Sequence, residues 1–506
     1  MDGHVLMNLR LRARCLPIAA ATTLLLGVGF ALGGCGSTDC SFTATCGGGT
    51  AIIDGGGDGP IIPMDCNLSL DPKDSMGCLV DSVGVFVSAK GRGGATGTMK
   101  DPLPTIADGI ALAASTNRPR VYICEGTYPE AIKIASPVSV YGGLTCADNV
   151  WVAKDDVKPK VTPAVGPAID VRSVMQNVVV QNIDALGMAP SGVGGSAIGA
   201  FIIHSRASLR GVLLAAGPGQ NGQKGTSRSN YSAPALPGKD ATGTGMGGEG
   251  GSCTCTDSTT SKGGRGADGD GSKFSNGSSV PPIGDPNFGA SGFNPGTCML
   301  GRPGADGEAG GGSEPVDAPG KATEVGWEIG KRALTGPNGR PAQGGGGGGA
   351  DTQFGAAGSG GGCGGCGGAG GESGSNGGAS IGVFAFDSEV TIDASQISTA
   401  PGGKGGAGGD GQPGQSGAGP GASGACAGGN GGAGAGGSAG TGGTGGDSIA
   451  IVWKERLEPI VTKSDLKPGT GGGFGDPGAI GLGAGNQGGV GKAGIAGRSL
   501  KVFASQ

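Results

Sequence analysis

Residues 102–106 read Pro-Leu-Pro-Thr-Ile, and residues 126–130 read Gly-Thr-Tyr-Pro-Glu. The first stretch predicts the start of a helix, because Thr105 is a good N-cap residue and Asp108 follows three positions later. The apolar residues that follow recur at helical spacing. The sequence therefore predicts a short helix over 105–115, a few residues before the second stretch.

Short apolar segments typical of β-strands surround this helix. They lie at 83–87, 121–124, 131–134 and 138–141. The order of a strand, a Pro-x-x-Thr-Ile helix, a strand and Gly-Thr-Tyr-x-Glu resembles the N-terminal turns of pectin-lyase-like right-handed parallel β-helices. The resemblance covers about residues 83–145. It implies an all-β fold, a right-handed parallel β-helix (a solenoid) with a short N-terminal capping helix, and it implies no particular activity.

The chain repeats a strand-rich unit, and long glycine-rich stretches separate the copies. Ile-Gly-Ala-Phe at 198–201 recurs as Ile-Gly-Val-Phe at 381–384, an offset of 183 residues. Looser copies begin at Ser448 and Ser499, and an earlier relative begins at Ala168. One unit of this size cannot bury its apolar face alone, so stacked turns of a parallel β-helix with long Gly-rich loops are predicted. An antiparallel β-sandwich is the alternative.

These copies divide the chain into seven segments. The predicted boundaries are 1–34 (signal peptide), 35–80 (lipidated flexible tether), 81–216 (N-terminal β-helix turns), 217–378 (Gly-rich insertion), 379–401 (one β-helix turn), 402–446 (Gly-rich insertion) and 447–506 (C-terminal turns with a Gly-rich loop). With 121 glycines in 506 residues, the insertions have two interpretations. One is a disordered polar loop. The other is a bundle of extended polyglycine-II strands, which pack closely because glycine has no side chain.

The N-terminal residues predict export and a lipid anchor. Three arginines within 10–14 precede an apolar run that ends at Leu-Gly-Gly-Cys, residues 32–35. This ending resembles the lipobox of bacterial lipoproteins, which implies that 1–34 is removed and that Cys35 carries the acyl chains. The protein would then be lipid-anchored at the outer membrane or cell surface, with the membrane as a partner. A plain transmembrane anchor or an ordinary signal peptide is the alternative.

The cysteine count agrees with an exported protein. Of 14 cysteines, Cys15 leaves with the signal and Cys35 takes lipid, so twelve remain, an even number that indicates disulfides. The disulfide candidates are Cys66, Cys78, Cys124, Cys146, Cys363 and Cys366, with Cys66–Cys78 and Cys124–Cys146 as the first pairings to expect. Cys363 and Cys366 form a Cys-x-x-Cys pair without strand-helix context or a nearby histidine. A structural disulfide is therefore favoured there over a redox or metal pair.

No cofactor and no metal site are predicted, and calcium is the one ion that a pattern suggests. Segments 263–268, 405–410 and 442–447 each read Gly-Gly-x-Gly-x-Asp, like the first six positions of the calcium-binding toxin nonapeptide. Carboxylate and carbonyl oxygens would be the ligands. Such sites need tandem copies that share each ion, whereas these copies are isolated.

No catalytic residue is predicted. After residue 34 the chain has one histidine, His204, whose counterpart in the next copy is Asp387, so it is expected to face outward from a strand. The acidic and arginine clusters that polysaccharide lyases and glycosidases require are not recognisable.

Two classes of function remain. The first is a non-enzymatic lipoprotein of the cell surface or periplasm, with a structural, adhesive or glycan-binding role and polysaccharide or other surface proteins as partners. The second is a polysaccharide lyase or hydrolase of the pectin-lyase-like fold. A net charge of −5 argues against nucleic acid as a partner. Glycan binding would draw on few aromatics, since Trp151, Trp327 and Trp453 are the only tryptophans.

Overall fold

The computed structural model describes residues 61–242, 245–282, 299–315, 320–483 and 485–506. In these residues the regular structure is almost all β, with one α-helix, α1 (Ile106–Ser115), and 3-10 helices at Met76–Cys78 and Ala147–Asn149. Three sheets hold most of the strands, and nearly all neighbours within them are parallel. The all-β prediction is therefore confirmed, and the antiparallel sandwich is wrong.

The strands are numbered in chain order. The first sheet contains β1 (Gly84–Val87), β2 (Arg120–Cys124), β5 (Ser139–Thr145), β6 (Val152–Ala153), β9 (Asn177–Gln181), β12 (Arg206–Arg210), β20 (Glu389–Asp393) and β23 (Ile460–Thr462). The second contains β3 (Thr127–Tyr128), β7 (Lys160–Val161), β10 (Asp184–Gly187), β13 (Leu213–Ala216), β21 (Gln396–Thr399) and β24 (Asp465–Lys467). The third contains β4 (Ile132–Ile134), β8 (Ile169–Arg172), β11 (Ala197–Ile203), β19 (Ser380–Phe386), β22 (Ser448–Lys454) and β25 (Ser499–Ala504). Two small antiparallel sheets contain β14 (Ser252–Thr254), β15 (Thr260–Lys262) and β16 (Ser278–Val280), and β17 (Lys321–Thr323) and β18 (Gly326–Glu328).

The chain visits the three large sheets in rotation. β9, β10 and β11 lie in the first, second and third sheets, and β12, β13 and β19 lie beside them in the same order. The rotation continues through β20, β21 and β22 to β23, β24 and β25. The repeat sets the register, since Ile198 pairs with Ile381, Ile381 with Ile449 and Ile449 with Leu500. The parallel pairing predicted from the repeated units is confirmed for these strands.

Apolar side chains from all three sheets meet in one core. Alternate strand residues point into it, as do Ile169 and Val171 of β8, which are both fully buried. Burying an aliphatic side chain of this size contributes about 1.5–3 kcal/mol. At β1 the core is covered by α1, whose Ile106 and Ile110 are buried against residues such as Val85.

The two motifs quoted at the outset meet in space. The side chain of Thr105 accepts a hydrogen bond from the Asp108 N–H and so caps α1. The Glu130 carboxylate, from Gly-Thr-Tyr-Pro-Glu, accepts hydrogen bonds from the N–H groups of Ile106 (2.8 Å) and Ala107 (3.1 Å). A carboxylate at the start of a helix accepts hydrogen bonds from N–H groups that have no partner within the helix, and the positive end of the helix dipole stabilises its charge. The second motif therefore holds the capping helix that the first one begins.

Residues 61–80, assigned above to the flexible tether, are attached to the first sheet. A disulfide joins Cys66 to Cys78. The guanidinium of Arg120, a fully buried residue, donates to the carbonyl oxygens of Leu68 and Leu70 at 2.8 Å each. The part of the chain that packs on the body therefore begins before residue 81. The rest of that tether, residues 35–60, lies outside the described residues.

The glycine-rich segments lie side by side as extended chains that are neither helix nor strand. Every third N–H of 402–414 donates to a carbonyl of 470–482, as Gly405 does to Gly473 at 2.8 Å. A second row of N–H groups on the same segment donates to the antiparallel segment 369–378. A hydrogen-bond period of three residues fits a helix of the polyproline-II type, which has three residues per turn. The described insertions are thus an ordered bundle and not a disordered loop.

Only glycine fits at the contact positions of this bundle. A methyl group on Gly371 would overlap the carbonyl oxygen of Gly409, and one on Gly437 would overlap that of Ala369. Because the neighbours are backbone atoms, no rotation of a side chain could relieve the overlap. Glycine therefore serves here as the residue that allows chains to approach to hydrogen-bonding distance.

Candidate functional site

A cleft of about 610 Å³ opens where three adjacent parallel strands end. β1, β2 and β5 are neighbours in the first sheet. The cleft residues Ser88, Glu125 and Cys146 come directly after the last residues of these three strands. Its lining consists of Ser88, Lys90, Gly91, Arg92, Lys100, Asp101, Pro102, Cys124, Glu125, Cys146, Ala147, Asp148, Asn149 and Trp151. We call this set the N-terminal cleft.

The floor of the N-terminal cleft is rigid. The disulfide between Cys124 and Cys146 joins the ends of β2 and β5. The indole of Trp151 packs edge-on against Phe86, and its N–H donates to the carbonyl oxygen of Met99 at 3.0 Å. Trp151 is only 4% exposed, so it supports the cleft from beneath and does not offer a free ring face.

The rim of the N-terminal cleft carries charges of both signs. Asp101 accepts hydrogen bonds from Thr96 and pairs with Arg92 at 3.1 Å. The backbone N–H of Thr96, together with Arg92, lowers the pKa of the Asp101 carboxyl below its usual value. Arg92 is therefore already neutralised by a protein group.

The side chains of four exposed charged residues of the rim make no hydrogen bond or ion pair with any other described residue. They are Lys90, Lys100, Glu125 and Asp148. Two ammonium groups and two carboxylates offer donors and acceptors to a polar ligand without a net charge. This balance suits the hydroxyl groups of a neutral sugar, which both donate and accept.

His204 lies in the bend that follows β11. Its Nδ1 is 2.9 Å from a carboxylate oxygen of Asp387, its counterpart in the next turn, and Asp387 also pairs with Arg456 at 2.9 Å. The bond from His204, and then Arg456, lowers the pKa of Asp387. The neighbouring hydroxyl of Ser205 donates to the Ile203 carbonyl at 2.7 Å, so it is directed away from the imidazole.

The cysteines named from the sequence are placed as follows. Cys66 pairs with Cys78 and Cys124 pairs with Cys146. Cys363 and Cys366 do not pair with each other: Cys363 bonds Cys253, and Cys366 bonds Cys255. These two disulfides join the three-stranded sheet of β14, β15 and β16 to residues 360–378 of the ordered glycine-rich insertions, which we call the glycine bundle. Cys35 and the signal segment 1–34 lie outside the described residues.

The aspartate carboxylates of the three calcium-like segments form hydrogen bonds or ion pairs with other groups of the protein. Asp268 accepts from the Gly247 N–H at 2.8 Å and pairs with Arg265. Asp410 accepts from the Ala479 N–H at 2.8 Å, and Asp447 pairs with Arg498 through both carboxylate oxygens. Among the residues with described positions, no group of three or more His, Cys, Asp or Glu could hold a metal ion.

The other two tryptophans are partly buried. Trp453 packs against the main core, and Trp327 meets Phe503 edge-on with ring centroids 6.0 Å apart. The sequence pattern points to the tryptophans and does not predict the charged rim of the N-terminal cleft. The signal available was a charged residue one to three positions after each of β1, β2 and β5.

Comparison of the chain with protein-family models, with curated proteins and with solved structures finds no match. Within the described part of the chain, no helix is both long and apolar enough to cross a membrane.

Proposed function

We propose that this protein is a non-catalytic surface lipoprotein whose N-terminal cleft binds a neutral polysaccharide. The observation that carries the proposal is the rim of Lys90, Lys100, Glu125 and Asp148, four charged groups without protein partners above a rigid floor. Ammonium and carboxylate groups form charge-assisted hydrogen bonds with hydroxyls.

The body that presents this cleft is proposed to be a right-handed parallel β-helix of the pectin-lyase-like kind. Rotation of the chain through three parallel sheets supports this, as does a capping helix held by Glu130. The glycine bundle adds a rigid part made of backbone, which suits a structural or adhesive role. A side-chain-poor bundle offers few groups for chemistry.

The polysaccharide proposal predicts retention without cleavage. Purified protein that begins after Cys35 should be retained by a neutral polysaccharide, and Lys90→Ala with Lys100→Ala should weaken binding at least about tenfold, because two charge-assisted hydrogen bonds are lost. Lys133→Ala with Lys160→Ala is the matched control, since both lysines are exposed on strands away from the cleft. Binding is measured against neutral and acidic polysaccharides, with and without Ca²⁺.

The same samples are assayed for new chain ends. Their appearance would contradict the non-catalytic part of the proposal and favour a polysaccharide lyase or hydrolase. Equal retention of the cleft double variant and the control would contradict the cleft as the binding site.

The lipid anchor predicts where the protein is found. In a bacterial host, the full chain should incorporate labelled fatty acid and sediment with membranes of the outer membrane or cell surface. Cys35→Ala should abolish the label, because that cysteine is the residue that carries the acyl chains, while Cys40→Ala should keep it. Label retained by Cys35→Ala would contradict the proposal.

A further inference from the structure

The glycine bundle contains one interrupted row of hydrogen bonds. Four carbonyls of this row are paired. Those of Pro401, Lys404 and Ala407 accept hydrogen bonds from the N–H groups of Gly219, Gly222 and Gly225 respectively. The carbonyl of Gly419 accepts from the Gly238 N–H. Between Ala407 and Gly419, the carbonyls of Asp410, Pro413 and Ser416 fall at the same three-residue spacing. They accept no hydrogen bond from any described residue.

The interruption has a cause in the sequence. The facing segment, 226–237, contains no glycine, so it cannot approach as closely as 217–225 does. Two glutamine side chains span the gap instead: Gln412 donates to the Ser229 carbonyl at 2.6 Å, and Gln415 to the Ala233 carbonyl at 2.7 Å.

The separated segments leave a groove of about 710 Å³. Its lining includes Tyr231, Pro234 and Pro237 on one side and Pro413 and Ser416 on the other. Tyr231 is anchored by its hydroxyl, which donates to the Gly367 carbonyl. Grooves lined by aromatic side chains bind extended, polyproline-II-like chains, and Tyr231 supplies an aromatic side chain here.

We infer that this groove binds an extended glycine-rich polypeptide segment of a partner protein as an added strand of the bundle. The groove continues the established contact between 217–225 and 401–407, so a strand with three residues per turn would bring one N–H in every three to the row. Those N–H groups would donate to the carbonyls of Pro413 and Ser416. The partner must be glycine-rich because side chains at the contact positions would overlap backbone carbonyls, as they would elsewhere in the bundle.

The test is binding of a fluorescent peptide of Gly-Gly-Ala repeats to the purified protein, measured by anisotropy. An oligoproline of equal length is the control peptide, because it adopts the same helix and has no N–H to donate. Ser416→Trp should weaken binding of the glycine peptide at least about tenfold by filling the groove. Lys404→Trp is the matched control variant, since Lys404 is exposed and stands four triplets earlier in the same row.

Stronger binding of the glycine peptide than of oligoproline, lost in Ser416→Trp alone, supports the inference. No binding to the parent protein, equal binding of the two peptides, or unchanged binding by Ser416→Trp would overturn it. Self-association of the parent protein that Ser416→Trp abolishes would also overturn it, and would assign the groove to a second copy of this chain. Polysaccharide retention by both tryptophan variants reports separately on the N-terminal cleft.

Discussion

Gly371→Ala is expected to lower the free energy of unfolding by about 3 kcal/mol, the upper part of the usual range for overpacking. Gly371 lies inside the glycine bundle, where its N–H donates to the Ser438 carbonyl at 2.9 Å. An added methyl would overlap the Gly409 carbonyl oxygen and lie 2.9 Å from the Gly440 nitrogen. Relief requires two backbones to move apart, which lengthens hydrogen bonds on both sides.

Urea unfolding of the purified variant measures this loss, with limited proteolysis to locate it in the insertions. Gly473→Ala is the control, because a methyl there would meet only the Lys404 side chain, at 3.8 Å, and its φ is not in the left-handed region. That variant should be unchanged or slightly more stable, since alanine restricts the unfolded chain. Equal losses at the two positions would contradict the view that backbone contact selects glycine.

Removing the two disulfides of the bundle is expected to be strongly non-additive. Cys253–Cys363 and Cys255–Cys366 span 110 and 111 residues. Closing one such loop is worth about 5 kcal/mol in the chain-entropy relation, whereas the second bond then closes a loop of only about five residues, worth about 2 kcal/mol. Losing one bond should therefore cost about 2 kcal/mol, and losing both about 7 kcal/mol.

Three proteins are compared by urea unfolding without reductant: the parent, Cys255→Ser with Cys366→Ser, and the variant in which Cys253 and Cys363 are also serine. The thiol content of the parent protein is measured first, because the expected losses require both disulfides to be formed. Equal and additive losses for the two bonds would contradict the expectation that they restrain the same loop.

Two features of the fold were predictable because their causes are local or repeated. Thr105 and Asp108 stand next to the helix that they cap, so the start of α1 follows from a few residues. Because the units repeat at an offset of 183 residues, equivalent residues of two copies are expected to pair in adjacent strands, as Ile198 does with Ile381.

Other features depend on residues that come together only in the folded chain. The attachment of residues 61–80 requires the buried Arg120, about fifty positions later, to reach two carbonyls of that segment. The pairing of Cys363 with Cys253 joins residues 110 positions apart. The N-terminal cleft requires the ends of three strands to lie side by side, so separate charged residues become one rim.

By itself, the sequence determined the repeat, the capping helix and the places where glycine replaces side chains. It left the state of the insertions open, because glycine-rich composition is equally compatible with disorder and with close packing. Only the tertiary structure decided between them. A glycine N–H stabilises an ordered bundle only when a carbonyl of another segment lies at hydrogen-bonding distance. The parallel strands on either side of each insertion hold the segments in the register that provides this distance.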